Sequence, residues 1–169
     1  MKQELNNSEL LWGRLVEAEL NASKAFRAFF SEGVDRVPWV RHGLRFGGMG
    51  RSAALRFFSY LTPLEQQQLF PDLVFMASWG HGSVGFAREL ILSMPRDRVL
   101  NNIEREAEPL LQEGTYDEYR RFLELYEQLD PAMTQRLARR AAAHSDPDIR
   151  EAGEDFLVKC EPAVNAAAT

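Results

Sequence analysis

The chain has 169 residues, a hydrophobic content of 45% and a formal net charge of -5. That length provides one domain with a sizeable core or a short array of repeats, and the composition is that of a folded globular protein. The acidic balance argues against a general binder of phosphate backbones, because such binders carry clustered positive charge. The single cysteine, Cys160, excludes an internal disulfide and a cysteine-based zinc site.

Charge distribution and residue usage also indicate the type of organism and the cellular compartment. Residues 1–60 are net basic and residues 61–169 are net acidic, and arginine supplies nearly all of the basic residues, which is typical of a GC-rich bacterial genome. No apolar run is long enough to span a membrane, and the N-terminus lacks the basic start and apolar middle of a signal peptide. We therefore expect a cytosolic protein with no membrane partner.

The first element in chain order is a long amphipathic stretch that follows Ser8, a favourable N-cap residue, and continues to Phe30. Its apolar residues recur at helical spacing, and we expect a break near Asn21. The segment from Val37 to Phe46 is aromatic and basic, and its pattern does not predict a particular secondary structure. We expect these N-terminal helices to cap one end of the fold.

The remainder alternates between apolar segments with helical spacing and short breaks. Prolines at regular spacing open the second helix of each pair, and Thr62 and Asp130 are favourable caps before two of them. Because no run of alternating β-branched residues predicts a strand, the expected fold class is all-α. Pro71 and Pro109 should kink or split two of the helices. The predicted helices span residues 51–61, 63–78, 84–93, 95–111, 117–129, 131–144 and 148–159.

The last unit carries a specific pattern, Asp146-Pro147-Asp148-Ile149-Arg150-Glu151-Ala152 followed by Phe156 and Leu157. It resembles the first helix of a bacterial HEAT or armadillo-like repeat, which has an acidic cap, an aliphatic-arginine pair and a small residue against the neighbour. The resemblance covers about residues 51–159 and is specific mainly at 146–157. It implies a short α-solenoid of about three and a half helical hairpins with an N-terminal helical cap. A compact irregular helical bundle is the alternative.

This repeat pattern sets the predicted organisation. We expect one domain, as a monomer or small homo-oligomer, because no unit of such an array buries its apolar face alone. The predicted parts are a disordered tail at 1–7, an N-terminal helical cap at 8–46, HEAT-like helical repeats at 47–160 and a disordered tail at 161–169.

Motifs of catalysis and cofactor binding are absent from the sequence. It has no Walker A run, no His-Glu-x-x-His, no Gly-x-Ser-x-Gly and no EF-hand loop. His42, His81 and His144 each lie in or beside a break, but neighbouring helices are about 8–10 Å apart, too far for successive repeats to share one zinc ion. We expect solvated or capping histidines, no metal, no cofactor and no enzymatic activity.

Two glycine-rich breaks contain candidate binding residues. The segment 39–51 interleaves aromatic and basic residues before a helix start, so Arg41, Arg45 and Arg51 are candidate contacts for an anionic partner. The alternative is a linker with solvated arginines. Trp79, in the second break, is either a core residue or a binding hot spot at the edge of the array.

The second helices of the predicted hairpins form another candidate surface. Such helices line the concave side of an α-solenoid, and long polar side chains there suit recognition of a protein. Plain solubility is the alternative. The candidate residues are Gln66, Arg98, Asn102, Arg105, Arg136 and Arg139.

The resemblance implies a non-catalytic protein-interaction module, such as a scaffold, adaptor or inhibitor, whose curved polar face binds another protein of unknown identity. HEAT-like repeats also build DNA base-excision enzymes, but the acidic balance beyond residue 60 makes nucleic acid the weaker expectation. A pocket for a small molecule or cofactor between the N-terminal helices and the first repeat is the third alternative.

Overall fold

A computed structural model describes residues 2–160, with side chains from residue 6 onward. Within this range the regular structure is helical, as the periodicity predicted, and it contains no strand. The predicted tail at 161–169 lies outside the described residues. A turn of 3-10 helix, Phe58–Tyr60, follows the third helix. The helices are α1 (Lys2–Glu32), α2 (Val37–Phe46), α3 (Gly48–Phe57), α4 (Pro63–Ala77), α5 (Val84–Ser93), α6 (Arg96–Gln112), α7 (Tyr116–Leu129), α8 (Pro131–Ala142) and α9 (Pro147–Cys160).

The predicted helix starts have the expected capping bonds. The Thr62 hydroxyl accepts a hydrogen bond from the backbone N–H of Glu65, whose carboxylate accepts from the N–H of Thr62, so α4 begins with a capping box. Asp130 accepts from the N–H three residues further on, at 2.9 Å. Asp146 accepts from the N–H groups two and three residues further on, at 2.9 and 3.3 Å. These bonds fix the starts of α4, α8 and α9.

Helix α1 differs from its prediction in its start and in its continuity. It begins at Lys2, within the segment predicted as a disordered tail, so Ser8 lies inside the helix and does not cap it. It also continues past Asn21 to Glu32 without a break. Asparagine lowers helix propensity only modestly, and the segment has no proline to interrupt the hydrogen-bond ladder.

Three other predictions are refined by the structure. The segment Val37–Phe46 is a helix with Pro38 in its first turn. A single residue, Gly47, separates it from α3, and its φ of 79° is one that glycine adopts readily, so α3 begins earlier than predicted. Pro71 and Pro109 lie inside α4 and α6 and do not split them. Both prolines are exposed, and the buried sides of the two helices remain packed.

The helices from α2 onward pack against helices that are close to them in the chain. Contacts join α2 to α3 and α4, α4 to α5, α6 and α7, and α7 to α8 and α9. The buried apolar core follows these contacts from Val37 in α2 to Phe156 in α9. Helix α1 adds Phe26 and Phe29, which are only partly buried against this core. None of the described helices combines the length and apolar character that crossing a membrane requires.

Arginine side chains join helices that lie two apart in the chain. Arg136 and Arg140 on α8 bind Glu104 and Glu108 on α6, at 2.8 and 2.6 Å, and this order of pairing shows that the two helices run parallel. From α2 onward, bonds of this kind join residues between 27 and 36 positions apart, close to the 32 and 36 residues that separate Pro63, Pro95 and Pro131. The pairs are Arg36–Glu65, Arg41–Asp72, Arg45–Asp72, Arg88–Glu124, Arg120–Asp155, Arg136–Glu104 and Arg140–Glu108.

Helices α8 and α9 approach each other most closely at Gly153. A Cβ atom at this position would lie 2.3 Å from the backbone nitrogen of Ala142 and 2.7 Å from the carbonyl oxygen of Ala138. Both atoms belong to helix backbone, which moves only with the whole helix. The absence of a side chain at Gly153 therefore sets the distance between the last two helices.

We expect Gly153→Ala to destabilise the protein by about 2 kcal/mol or more, because the overlap with α8 outweighs the gain of about 1 kcal/mol in helix propensity. Gly85→Ala in α5 is the matched control: a Cβ there has open space, so it should stabilise by about 0.5–1 kcal/mol. Urea unfolding measures both changes. A Gly153→Ala variant as stable as the parent would contradict this packing.

We also expect acid to weaken the junction between α2 and α4. The Arg36 guanidinium binds Glu65 at 2.9 Å and, with the capping bonds from Thr62, lowers the pKa of that carboxyl from 4.5 to about 2. Because the folded-state pKa is depressed, this contribution is present above pH 4.5 and is lost as the pH falls towards 2. Glu65→Gln should therefore reduce the pH dependence of the unfolding free energy in that window, measured by urea titrations at several pH values. An unchanged slope would contradict the assignment.

Candidate functional site

The structure uses Arg41 and Arg45, predicted as contacts for an anionic partner, to join α2 to α4. The side chain of Asp72 is almost fully buried, and its two oxygens accept hydrogen bonds from Nε of Arg41 at 2.9 Å and Nε of Arg45 at 2.5 Å. Arg41 also donates to the carbonyl oxygen of Gln68, at 2.8 Å. About half of each guanidinium side chain remains exposed, so these residues line the surface while they hold two helices together.

The sequence contains a signal for this cluster that our sequence analysis did not use. Asp72 is the one charged residue in the run from Leu69 to Ala77, which is otherwise apolar apart from its proline. A carboxylate on a buried helix face needs a cationic partner, because an unpaired charge is costly to bury. The sequence signal does not say which one: the partners are Arg41 and Arg45, two helices earlier in α2, and not the nearer Arg51 and Arg56 of α3.

We expect Asp72→Ala to destabilise the protein by about 2 kcal/mol or more, because it removes two charge-assisted hydrogen bonds from a buried position. Asp155→Ala is the matched control. Asp155 is 52% exposed and pairs with Arg120, so its removal should cost less than about 1 kcal/mol. Urea unfolding compares the two variants, and equal losses would contradict a structural role for Asp72.

Arg51 and Trp79 form a second structural contact between the two glycine-rich breaks. Nε of Arg51 donates to the carbonyl oxygen of Leu44 at 3.2 Å, and the guanidinium carbon lies 5.8 Å from the centre of the Trp79 ring. Trp79 is half-buried and packs edge-on against His81. Arg51 and Trp79 were both predicted as binding residues. The structure places them in contact with each other, where they join parts of the fold.

Two of the three histidines satisfy backbone groups at helix ends. Nε2 of His81 lies 2.8 Å from the carbonyl oxygen of Met76, and Nδ1 accepts from the N–H of Ser83, which assigns the Nε2–H tautomer. Burial lowers the pKa of His81, which favours this neutral form. Nδ1 of His144 accepts from the N–H of Asp146 at 3.1 Å. Both are capping histidines.

The remaining predicted contacts lie on α4, α6 and α8. Near the start of α4, Gln66 donates to the carbonyl oxygen of Phe58 and Arg98 reaches back from α6 to the carbonyl oxygen of Pro63. The other candidates, Asn102, Arg105, Arg136 and Arg139, lie on α6 and α8. Two of the six predicted contacts, Gln66 and Arg98, therefore bond to backbone groups of the fold. The other four share the surface of α6 and α8.

A small polar cleft of about 130 Å³ lies between α6, α7 and α8. The ion pairs Glu104–Arg136 and Glu108–Arg140 contribute to its walls. The cleft also contacts Tyr126, which is almost fully buried and whose hydroxyl has no hydrogen-bond partner among the described residues. Burial raises the pKa of Tyr126, so the hydroxyl stays protonated and can donate to a ligand acceptor.

Arg105 and Arg139 lie on α6 and α8, each next in sequence to a residue that lines this cleft, Glu104 and Arg140 respectively. The Arg105 side chain is 72% exposed and binds Glu106 and the amide oxygen of Asn102. Arg139 is exposed and has no ion pair among the residues that the structure describes. Both side chains can therefore turn towards a carboxylate on a partner.

An apolar groove of about 350 Å³ lies between α1 and the α2–α3 pair. The groove lies beside the N-terminal helices, where the third functional alternative predicted a pocket for a small molecule or cofactor. Phe26, Phe29, Trp39 and Phe57 contribute to its lining, and the ring nitrogens of Trp39 and His42 are the polar side-chain atoms among the lining residues. Binding sites for small molecules combine an apolar lining with several placed polar groups. This groove offers an apolar surface with little to orient a ligand.

Comparisons with known proteins identify no relative: no family model, no curated protein and no solved structure matches the chain. From residue 2 to residue 160, no group of three or more His, Cys, Asp or Glu side chains comes together as a metal site. The polar cleft and the apolar groove beside α1 are therefore the two candidate binding surfaces.

Proposed function

We propose that the protein is a non-catalytic protein-binding module, a short α-solenoid of HEAT-like hairpins that binds another protein through the polar surface of α6 and α8. Two features support the array. The helices after α1 contact near neighbours in the chain, and interhelical arginine bonds recur at separations of 27 to 36 residues. The pattern that resembles a HEAT repeat, residues 146–157, coincides with the cap and first turns of α9.

The observation that carries the binding proposal is the polar cleft between α6, α7 and α8. The Tyr126 hydroxyl supplies a buried donor, and Arg105 and Arg139 supply exposed guanidinium groups beside it. The ion pairs from Arg136 and Arg140 hold α6 and α8 in register, so the surface is formed before the partner arrives. A preformed surface binds with a smaller loss of conformational entropy.

The chemistry of this surface favours a protein with an acidic segment. The Tyr126 hydroxyl is itself buried, so a carbonyl or carboxylate of the partner would accept from it only after a small opening of the cleft, whereas neighbouring carboxylates would bind Arg105 and Arg139 directly. Glu104, Glu106 and Glu108 each pair with an arginine of this surface, so the surface lacks the clustered unpaired positive charge that a continuous phosphate backbone requires. The mixed charge therefore supports a protein partner over DNA or RNA.

Affinity capture from the source organism followed by mass spectrometry tests this proposal. The parent chain should retain one or more protein partners, and Arg105→Glu with Arg139→Glu should reduce their recovery by about tenfold or more, because both guanidinium donors become repulsive. Tyr126→Phe should reduce recovery of the same partners while leaving the ring packing intact.

The matched control is Arg14→Glu with Lys24→Glu, which changes the net charge equally on exposed positions of α1. This control should recover the same partners as the parent chain. If the control and the α6–α8 variant lose the same partners, or if neither loses any, the proposed surface is wrong. Absence of any protein partner, together with turnover of a small molecule, would contradict the function itself.

A further inference from the structure

One apolar face of α1 extends beyond the part of the helix that packs on the body. Near the C-terminal end of α1, Phe26 and Phe29 pack against Phe57, with ring centres 5.9 and 4.9 Å apart. Further towards the N-terminus the same face presents Trp12, 66% exposed, and Leu15, 54% exposed. Folded proteins rarely leave a continuous apolar surface of this size in water, and such surfaces mark interfaces.

The two halves of this face have different surroundings. The half that extends from the body carries large exposed side chains, whereas the half nearer the body lines the apolar groove described above with Ala25, Phe26 and Phe29. An antiparallel second copy would place the large side chains of each copy over the groove of the other, related by a two-fold axis. The large residues are Leu11, Trp12, Leu15 and Val16.

We propose that α1 mediates self-association: two copies of the chain pair antiparallel, and Trp12 and Leu15 of each copy lie in the groove between α1 and α2–α3 of the other. Trp12 and Phe26 are equally distant from Glu19, so a two-fold axis near Glu19 places each Trp12 beside the partner's groove. Each contact of such a pair occurs twice, once in each copy.

Charges on α1 agree with this pairing. Glu19 is the charged residue at the centre of the face, and it is already paired with Arg56 of its own chain at 2.9 Å. Glu9 and Arg27 lie about five helical turns apart and therefore on one edge of the helix. Their midpoint is next to Glu19, so antiparallel pairing brings Glu9 of each copy close to Arg27 of the other.

The charges on α1 also argue against a lipid membrane as the surface that covers its apolar face. Helices that lie on anionic membranes carry lysine and arginine over their polar face. Basic and acidic residues on α1 are nearly balanced, and Glu17 lies on the side opposite to Leu15. A second copy has the matching shape and charge that a membrane lacks.

Sedimentation velocity of the purified full chain over a range of concentrations tests this inference without any other protein, so its outcome is independent of the partner proposed above. The parent chain should form a dimer. Leu15→Glu should raise the dimer dissociation constant by about 100-fold or more, because it places a charge in the interface. Leu10→Glu is the matched control: Leu10 is also 54% exposed but lies towards the other side of α1, and its variant should dimerise like the parent.

Disulfide cross-linking tests the antiparallel arrangement. In a Cys160→Ser background, Ala18→Cys lies next to the proposed two-fold axis and should form a covalent dimer on oxidation. Leu11→Cys lies about 12 Å from the axis along each helix and should not link to its own copy. A parent chain that is monomeric at every concentration, equal dissociation of the two leucine variants, efficient linking through Leu11→Cys, or monomeric binding to anionic lipid vesicles would each overturn the proposal.

Discussion

Packing between near neighbours in the chain is the constraint on which the rest of this structure depends. From α2 to α9, each helix buries its apolar face against helices one to three positions away, so no distant segment closes the core. Arginine side chains then fix the register of helices two apart, as Arg136 and Arg140 do between α8 and α6. The proposed array of repeats would have extended polar flanks and terminal units with fewer neighbours than its central ones.

The sequence predicted the helices from α4 onward well, because their boundaries have local causes. The caps at Thr62, Asp130 and Asp146 satisfy N–H groups within the first turn, so nearby residues determine where these helices begin. Helix α1 was predicted less well, since Asn21 is a weak helix former without being a breaker. The sequence predicted a glycine-rich break that includes Gly47. Only the structure shows that this one residue is enough to separate α2 from α3.

The candidate sites were harder to predict because they depend on contacts between distant residues. Arg41 and Arg45 were candidates for an anionic partner, and the carboxylate that binds them, Asp72, belongs to another helix. Among the described residues the hydroxyl of Tyr126 has no hydrogen-bond partner, which follows from how α6, α7 and α8 meet. The apolar face of α1 was visible as periodicity, but its exposure could not be deduced, because periodicity does not say what covers a face.

Native-state hydrogen exchange tests the central claim of near-neighbour packing most directly. Because α8 and α9 contact mainly each other and α7, their amides should exchange through partial openings at a lower free energy than the amides of α4 and α5. The expected result is a gradient of opening free energies towards α9. A single opening free energy shared by the slowest amides of all these helices would show a globally cooperative core and contradict the account.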